Sequence, residues 1–176
     1  MTHSRLTVTK HRIYARHKGV PLEARLNIPL IKRCIIDTLN SERVDLPCEL
    51  SVLIIDDINI RKINRDYRGT DKATDVLSFP MQEFSPPGWT ATGVDATDQE
   101  TGYVMLGDII LSAERVIEQA YEYAQTKDRE TAYLIVHSVL HLLGYDHADE
   151  ADDKKKMRSR EKEIMRELSE RIKTLL

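Results

Sequence analysis

Three of the six histidines in this 176-residue chain lie within one stretch, HSVLHLLGYDH, from His137 to His147. On a helix, His137 and His141 would share one face, with Cβ atoms about 5–6 Å apart. Gly144 favours the left-handed conformation that ends a helix, and the turn lets His147 return toward the same point. A catalytic zinc ion has three protein ligands and a fourth position for water. The spacing therefore predicts a catalytic metal site.

The other interpretation is that these are three separate core histidines, each with its own hydrogen-bond partner. A buried polar group without a partner costs about 1–3 kcal/mol, so this interpretation needs three independent partners within an apolar segment. The metal site is therefore favoured. The remaining histidines, His3, His11 and His17, are distant in sequence and are predicted to lie on the surface.

The segment also matches the metalloprotease pattern H-E-x-x-H-x-x-G-x-x-H, except that Ser138 stands where the pattern has Glu. In a peptidase that Glu takes a proton from the zinc-bound water and delivers it to the leaving amine. Serine cannot do this at neutral pH. Two interpretations stay open: a zinc hydrolase with other chemistry, or a peptidase whose base lies elsewhere.

Capping residues and apolar periodicity predict five helices, which begin at or near Asn27, Asp57, Ser112, Asp128 and Glu150. The fourth helix runs into the histidine segment, which is apolar on almost all sides and is therefore predicted to be buried. The last helix extends to about Lys173, and its inward-facing residues are predicted to be Met157, Ile164, Leu168 and Ile172.

The strands are predicted mainly before the helices. The run Val52–Ile55 is continuously apolar, which is typical of a buried central strand. Three further strands are predicted in SRLTVTK (with Leu6 and Val8 on one face), DVLSFP and VMLGDIIL. Early strands and late helices without regular alternation indicate an α+β domain, with a small sheet packed against helices.

The length suits a single domain over residues 1–176. Residues 85–102 form a long polar loop, and a loop of this length is usually functional or disordered. Trp89 within it either anchors the loop or contacts a substrate, and the anchor is favoured. Cys34 and Cys48 lack metal or redox spacing and are predicted to be two reduced core thiols.

The net charge of −3 argues against a general nucleic-acid coat protein, but residues 1–33 hold eight Lys and Arg against one acid. This basic segment could contact phosphates. Charge alone favours a solvated arm instead, and residues 1–20 are predicted to be partly flexible. No apolar run reaches the length of a membrane span, and the N-terminus lacks the apolar core of a signal peptide. A cytoplasmic protein with no membrane partner is expected.

Three segments carry a family resemblance. HSVLHLLGYDH resembles H-G-x-L-H-L-x-G-Y-D-H, the signature of the YbeY family of bacterial metal-dependent endoribonucleases. NRDYRGTDKATDVLSFP at 64–80 is similar to that family's N-x-x-Y-R-G-x-D-x-x-T-D-V-L-S-F-P, and LGDIIL at 106–111 is similar to its L-G-D-I segment. The likeness runs from about residue 49 to the C-terminus, and before that only the strand–helix pattern agrees. Ser138 replaces the family's usual Gly, a small-for-small change expected to spare the metal site.

The resemblance implies that His137, His141 and His147 bind one zinc ion per chain and that Arg68 takes part in RNA cleavage. It also implies a small mixed four-stranded sheet, about five helices and a zincin-like metal site in an open cleft. Phosphodiester cleavage builds negative charge on phosphate oxygens, which a zinc ion and a guanidinium fork can stabilise. Without the resemblance, Arg68 would be interpreted as an exposed helix-end arginine near the negative pole of its helix.

Three aspartates are candidates to support the site. Asp108 lies within an apolar strand, where an unpaired charge is costly. It is predicted to accept a proton from a ligand histidine or to pair with Arg68, unless it caps a nearby helix. Asp75 and Asp146 are candidates for similar roles, although Asp146 could simply fix the turn that returns His147.

Three functions remain open at this point. The first is a single-strand-specific, zinc-dependent endoribonuclease in rRNA processing and ribosome quality control. The second is a zinc peptidase or another metal-dependent hydrolase, against which the absent Glu weighs. The third is a non-catalytic ribosome-assembly factor with a structural zinc. The partners that the resemblance implies are ribosomal RNA precursors, the small ribosomal subunit and a ribosome-associated GTPase.

Overall fold

The computed structural model describes residues 10–84, 87–89, 97–145, 151–172 and 175. The elements in chain order are β1 (Arg12–His17), a short 3-10 turn (Leu22–Ala24), α1 (Ile28–Ser41), β2 (Cys48–Ile55), α2 (Asp57–Arg68), β3 (Val76–Pro80), β4 (Val104–Ser112), α3 (Ala113–Glu122), α4 (Lys127–Leu142) and α5 (Ala151–Arg171). The predicted α+β class is confirmed. Within the described ranges, no helix combines the length and the apolar character needed to cross a bilayer.

The strands form one mixed sheet in the order β1-β2-β4-β3. Strands β1 and β4 run parallel to β2, and β3 runs antiparallel to β4. The central places of β2 and β4 explain their continuous apolar sequences. The predicted strand with Leu6 and Val8 lies outside the described residues. The structure places Arg12–His17 at the edge of the sheet beside β2. This part of the basic segment is therefore a paired strand and not a flexible arm.

Gly107, at a β-bulge in β4, determines how closely β3 can approach. Met105 and Gly107 pair with consecutive residues of β2, which leaves one extra residue in β4. Gly107 has a φ of 134°, and a Cβ at this position would lie 2.1 Å from the backbone oxygen of Phe79. Only glycine allows β3 to approach β4 this closely. Gly107 therefore lets β3 lie at the edge of the sheet, close to Leu142 at the carboxyl end of α4.

Helix α4 lies at the centre of the main core. Its apolar residues Ile135, Val136, Val139, Leu140 and Leu142 are completely buried, and they belong to one cluster with residues of α1, β2, β4 and α5. The prediction of a buried histidine-bearing helix is thus confirmed. Cys34 and Cys48 are free, buried thiols in this core, as predicted. A smaller cluster of Ile55, Ile60 and Leu77 covers the other face of the sheet beneath α2.

Helix capping follows the sequence with one exception. Asn27 and Ser112 cap α1 and α3 as predicted, each accepting a hydrogen bond from a backbone N–H. Helix α2 is capped by Asp56 and not by Asp57. The carboxylate of Asp57 instead accepts a hydrogen bond from the Ser112 hydroxyl at 2.6 Å and pairs with Arg115 at 2.9 Å. This pairing ties the start of α2 to the start of α3.

Trp89 anchors its loop, as favoured from the sequence. Its indole Nε1 donates a hydrogen bond to Asp45 Oδ1 at 2.7 Å, and its ring packs against Phe84 with centroids 5.8 Å apart. Residues 85–86 and 90–96 of this loop lie outside the described residues.

His11 and His17 are half-buried hydrogen-bond acceptors at the ends of β1, so the prediction that they lie on the surface was wrong. His11 Nδ1 accepts from the backbone N–H of Cys48 at 3.2 Å, and His17 Nε2 accepts from that of Leu26 at 3.1 Å. Burial lowers the pKa of both imidazoles because it disfavours the charged form. His3 lies outside the described residues.

We expect mild acid to destabilise the protein between about pH 7.5 and 5.5, because unfolded histidines with a pKa near 6.5 then take up protons that the folded His11 and His17 resist. Since the folded pKa values are lowered, stability is lost as the pH falls. The His11→Asn/His17→Gln variant keeps both acceptors without their titration. Its thermal midpoint, measured by circular dichroism, should fall less over the same interval. An equal fall in both proteins would contradict this assignment.

Candidate functional site

Helix α4 presents a line of three residues to one cleft. The helix is capped by Thr126, whose hydroxyl accepts a hydrogen bond from the backbone of Arg129 at 3.1 Å. Tyr133, His137 and His141 follow at intervals of four residues, so they share one face. All three line the cleft, whereas the other faces of the helix are buried. Core packing around α4 therefore sets the direction of both histidines.

The imidazoles of His137 and His141 point their Nε2 atoms at each other. These atoms are 3.1 Å apart, and the rings are nearly perpendicular at 82° with centroids 4.5 Å apart. Two nitrogen ligands at 2.0–2.1 Å from a tetrahedral zinc ion would be about 3.3–3.4 Å apart. The pair thus has nearly the spacing of two ligands of one ion, and it can also share one proton in an N–H···N hydrogen bond.

Glu161 of α5 holds the other nitrogen of His137. Its Oε1 lies 2.7 Å from Nδ1, and the residue is only 6% exposed. Because an ionised carboxylate can only accept, we assign the proton to Nδ1, which leaves the Nε2 lone pair facing His141. A carboxylate behind a histidine in this way fixes the tautomer and ring orientation of a metal ligand. Glu161 was not among the residues predicted from the sequence, although it falls on the buried stripe between Met157 and Ile164.

Helix α4 ends in a turn built on Gly144. This residue has a φ of 84°, and its N–H donates to the carbonyl of His141 at 3.0 Å. A Cβ at this position would lie 2.9 Å from the Cβ of Phe84, so both the conformation and the space require glycine. The predicted left-handed turn is confirmed. His147 and Asp146 lie outside the described residues, within which no group of three candidate metal ligands occurs.

The turn is tied to α1 and α5 through one carboxylate. The hydroxyl of Tyr145 donates to Glu42 at 2.9 Å, and Arg160 pairs with the same carboxylate at 2.7 Å. Burial, and then the charge of Glu42, raise the pKa of Tyr145 to about 12. Tyr145 therefore remains a donor at neutral pH and fixes the chain two residues before the predicted third ligand.

The histidines line a cleft of about 760 Å³ bounded by α4, β3 and the end of α2. Of the five predicted site residues that the structure describes, four line it: Arg68, Asp75, His137 and His141. Polar residues that were not predicted from the sequence also line it, namely Ser78, Gln82, Glu83, Tyr133 and Tyr145. Tyr133 could have been found from its four-residue spacing to His137, whereas nothing in the sequence marks Glu83.

Arg68 reaches the cleft from the last turn of α2. Its Nη2 donates to the carbonyl of Ser78 at 2.9 Å, and its guanidinium carbon lies 5.7 Å from the centre of the Phe79 ring. Arg61 and Arg65 of the same helix pair with carboxylates, whereas Arg68 has no such partner among the residues that the structure describes. Its exposed guanidinium therefore offers further N–H donors to an anion in the cleft.

Asp75 lines the cleft, but other groups hold its carboxylate. One oxygen accepts from the Val76 N–H at 2.8 Å and the Thr74 hydroxyl at 3.0 Å, and the other accepts from the Gln119 side chain at 3.0 Å. These contacts attach the start of β3 to α3. They support a role in placing β3 beside the histidines.

Asp108 faces the other side of the sheet. Side chains alternate along a strand, and Ile109 and Leu111 enter the main core, so Asp108 and Ile110 point away from it. The carboxylate of Asp108 accepts a hydrogen bond from the Ser51 hydroxyl in a separate pocket. The structure therefore does not place Asp108 in the cleft, which corrects its predicted supporting role.

Ser138 is completely buried, and it does not line the cleft. Its hydroxyl oxygen has no hydrogen-bond partner among the described residues. The position that carries the Glu of a metalloprotease is thus directed into the core. The carboxylates in the described lining of the cleft are those of Asp75 and Glu83.

A sequence model of the family Endoribonuclease YbeY matches residues 13–169. Two Clostridium botulinum proteins named Endoribonuclease YbeY are similar, at 46% identity over 140 residues (strain Alaska E43) and 48% over 142 residues (strain Loch Maree). Each alignment covers 77% of this chain and 84% of the relative. The solution structure of TM1509 from Thermotoga maritima is 26% identical, with a TM-score of 0.56, and the match covers 90% of this chain and 89% of that one.

Gly144→Ala should lower the free energy of unfolding by about 2 kcal/mol or more, because it adds left-handed strain and a clash with Phe84. Gly69→Ala is the matched control: its φ is 68°, but nothing lies within 4 Å of the added Cβ. It should cost only the strain, about 1 kcal/mol. Urea unfolding measures both variants, and equal losses would contradict the role of the Phe84 contact.

Ser138→Ala should raise the free energy of unfolding by about 1 kcal/mol, since it removes a buried hydroxyl without a described partner. Ser138→Gly removes the same hydroxyl but should lose about 1 kcal/mol relative to Ala through helix propensity. Urea unfolding of the two variants tests this order. A destabilised Ser138→Ala variant would show that the hydroxyl has a stabilising partner.

Proposed function

The chain belongs to the Endoribonuclease YbeY family, and we propose that it is a zinc-dependent endoribonuclease that cuts single-stranded regions of ribosomal RNA precursors. One observation carries this proposal most directly. The Nε2 atoms of His137 and His141 meet in the same cleft as the exposed guanidinium of Arg68. A cation and an arginine fork are the groups that stabilise the charge developing on a phosphodiester.

The donor set fits a zinc ion. His137 and His141 would supply two nitrogens and His147 the third, with Glu161 fixing the orientation of the first ring. The cysteines lie in the core and do not line the cleft. When bound, zinc lowers the pKa of its water to about 7 and polarises a phosphoryl oxygen.

Protein side chains would orient the RNA and accept a proton during cleavage. Arg68, steadied by Ser78 and Phe79, would bind two phosphate oxygens at once. Described hydrogen bonds hold the carboxylate of Asp75 but not that of Glu83, which is exposed in the cleft. We therefore assign Glu83 as the acceptor of a proton from the attacking oxygen.

The size of the cleft supports a single-stranded substrate. Its volume of about 760 Å³ lies in the range of pockets that enclose a small molecule. Such a cleft can take in an unpaired nucleotide with its phosphate. From the family likeness, we place this activity in cytoplasmic rRNA processing and ribosome quality control, with the small ribosomal subunit and a ribosome-associated GTPase as partners.

The alternatives receive less support. A peptidase of the H-E-x-x-H type needs a base at position 138, and Ser138 is buried outside the cleft. A purely structural zinc would sit in a closed site, whereas the histidine pair borders an open cleft.

Arg68→Lys should lower kcat/KM for RNA cleavage by about 10²-fold, because an ammonium cannot reproduce the bidentate contact. Arg61→Lys is the matched control, since Arg61 lies on the same helix and pairs with Asp71 at 2.8 Å. Its activity should stay near that of the native protein. Cleavage of an unstructured labelled RNA by zinc-loaded protein measures both variants.

Metal removal completes the test. Chelation of zinc should abolish cleavage, and added zinc should restore it. Cleavage of an unfolded protein without cleavage of RNA would overturn the proposed function, as would full nuclease activity in the Arg68→Lys variant.

A further inference from the structure

Four exposed basic side chains form a ladder along α5 at intervals of four residues, namely Lys154, Arg158, Lys162 and Arg166. The ladder extends about 18 Å along the helix axis. Like charges at this spacing destabilise a helix. Within the described part of the chain none of the four forms an ion pair, whereas Lys155, Lys156 and Arg160 of the same helix do. The ladder therefore concentrates positive charge that no described carboxylate pairs with.

Three members of the ladder, Arg158, Lys162 and Arg166, line one side of a groove of about 900 Å³ between α4 and α5. The other side carries Tyr123, Arg129 and Tyr133. Tyr123 is 61% exposed and Tyr133 is 38% exposed, so each ring is accessible from the groove. The groove thus combines basic and aromatic side chains.

The groove and the cleft adjoin at Tyr133. Tyr133 lines both, and its ring centroid lies 6.1 Å from that of His137. Arg158 and Lys154 of the ladder also border a small pocket that contains His137. A strand leaving the histidines can therefore pass directly along the ladder.

Two acids in the groove do not cancel this charge at its rim. Glu130 is 2% exposed and Glu161 is 6% exposed. Glu130 accepts a hydrogen bond from Gln125, and Glu161 contacts His137, so both carboxylates are engaged below the surface. The exposed rim presents the basic groups.

We propose that this groove binds the RNA strand that extends beyond the cleft, with phosphates on the basic ladder and bases on the two tyrosines. The proposal rests on the proposed function and adds the path of its substrate. Proteins that bind single strands combine a basic track with aromatic rings on which bases stack. Because the whole chain carries a net charge of −3, attraction of RNA depends on such a local surface. An acidic protein would match the ladder but would not need the tyrosines.

The test measures binding of a labelled, unstructured RNA of about 12 nucleotides by fluorescence anisotropy. EDTA is present so that the RNA is not cleaved. Lys162→Gln/Arg166→Gln should weaken binding about fivefold or more at 0.1 M salt. It should also reduce the slope of log affinity against log salt by about 1.4, since each phosphate contact on a single strand contributes about 0.7. Tyr123→Leu, which leaves the charge unchanged, should also weaken binding by several-fold.

Lys155→Gln/Lys156→Gln is the matched control, with the same change in charge on the same helix. It should change affinity by less than about twofold, because these residues do not line the groove. Thermal unfolding should show a midpoint for Lys162→Gln/Arg166→Gln no lower than that of the native protein, because like-charge repulsion is relieved.

Unchanged affinity and salt slope in Lys162→Gln/Arg166→Gln would overturn the proposal, and so would an equal loss in the control. Binding of a polyglutamate peptide that this variant loses, with RNA binding intact, would assign the groove to an acidic protein instead. If the native protein binds RNA through the ladder but does not cleave it when loaded with zinc, RNA binding by the groove is supported and the proposed function is rejected. If the native protein cleaves RNA while Lys162→Gln/Arg166→Gln binds RNA normally, only the proposed role of the groove is rejected.

Discussion

Two imidazole nitrogens 3.1 Å apart repel through their lone pairs unless a proton or a metal ion lies between them. Much of the structure serves this arrangement. Packing on the other sides of α4 fixes the direction of His137 and His141, and Glu161 holds the far nitrogen of the first ring. With the proton on that nitrogen, the lone pair that faces His141 is the one that a metal ion requires.

The remaining elements place Arg68 beside this histidine pair. Gly107 lets β3 lie against β4, and β3 in turn offers the carbonyl of Ser78 that orients Arg68. Gly144 ends α4 close to Phe84, so the chain turns at the border of the cleft. The basic ladder lies on α5, the helix that also carries Glu161. The same helix therefore orients His137 and forms the basic surface beside it.

Local signals in the sequence predicted the parts of the site that depend on local structure. The i, i+4 spacing of the histidines, the Gly144 turn and the Ser112 cap are set within a few residues, and the structure has them where predicted. Glu161 and Asp108 depend on packing between distant elements. Glu161 contacts His137, which is 24 residues away in sequence. The only sign of this contact in the sequence is that a charged residue falls on the buried stripe of α5. Asp108 was assigned to the site because it is a charged residue in an apolar strand. That assignment did not consider which face of the sheet its side chain occupies, and the alternation along β4 turns it to the other face.

X-ray absorption at the zinc edge of the zinc-loaded protein tests the metal site most directly. We expect one zinc ion per chain, with three imidazole nitrogens at about 2.0–2.1 Å and one further light atom. His147→Ala should remove one imidazole from this shell. A shell that contains sulfur at about 2.3 Å, or one without imidazole, would contradict the metal site at His137 and His141.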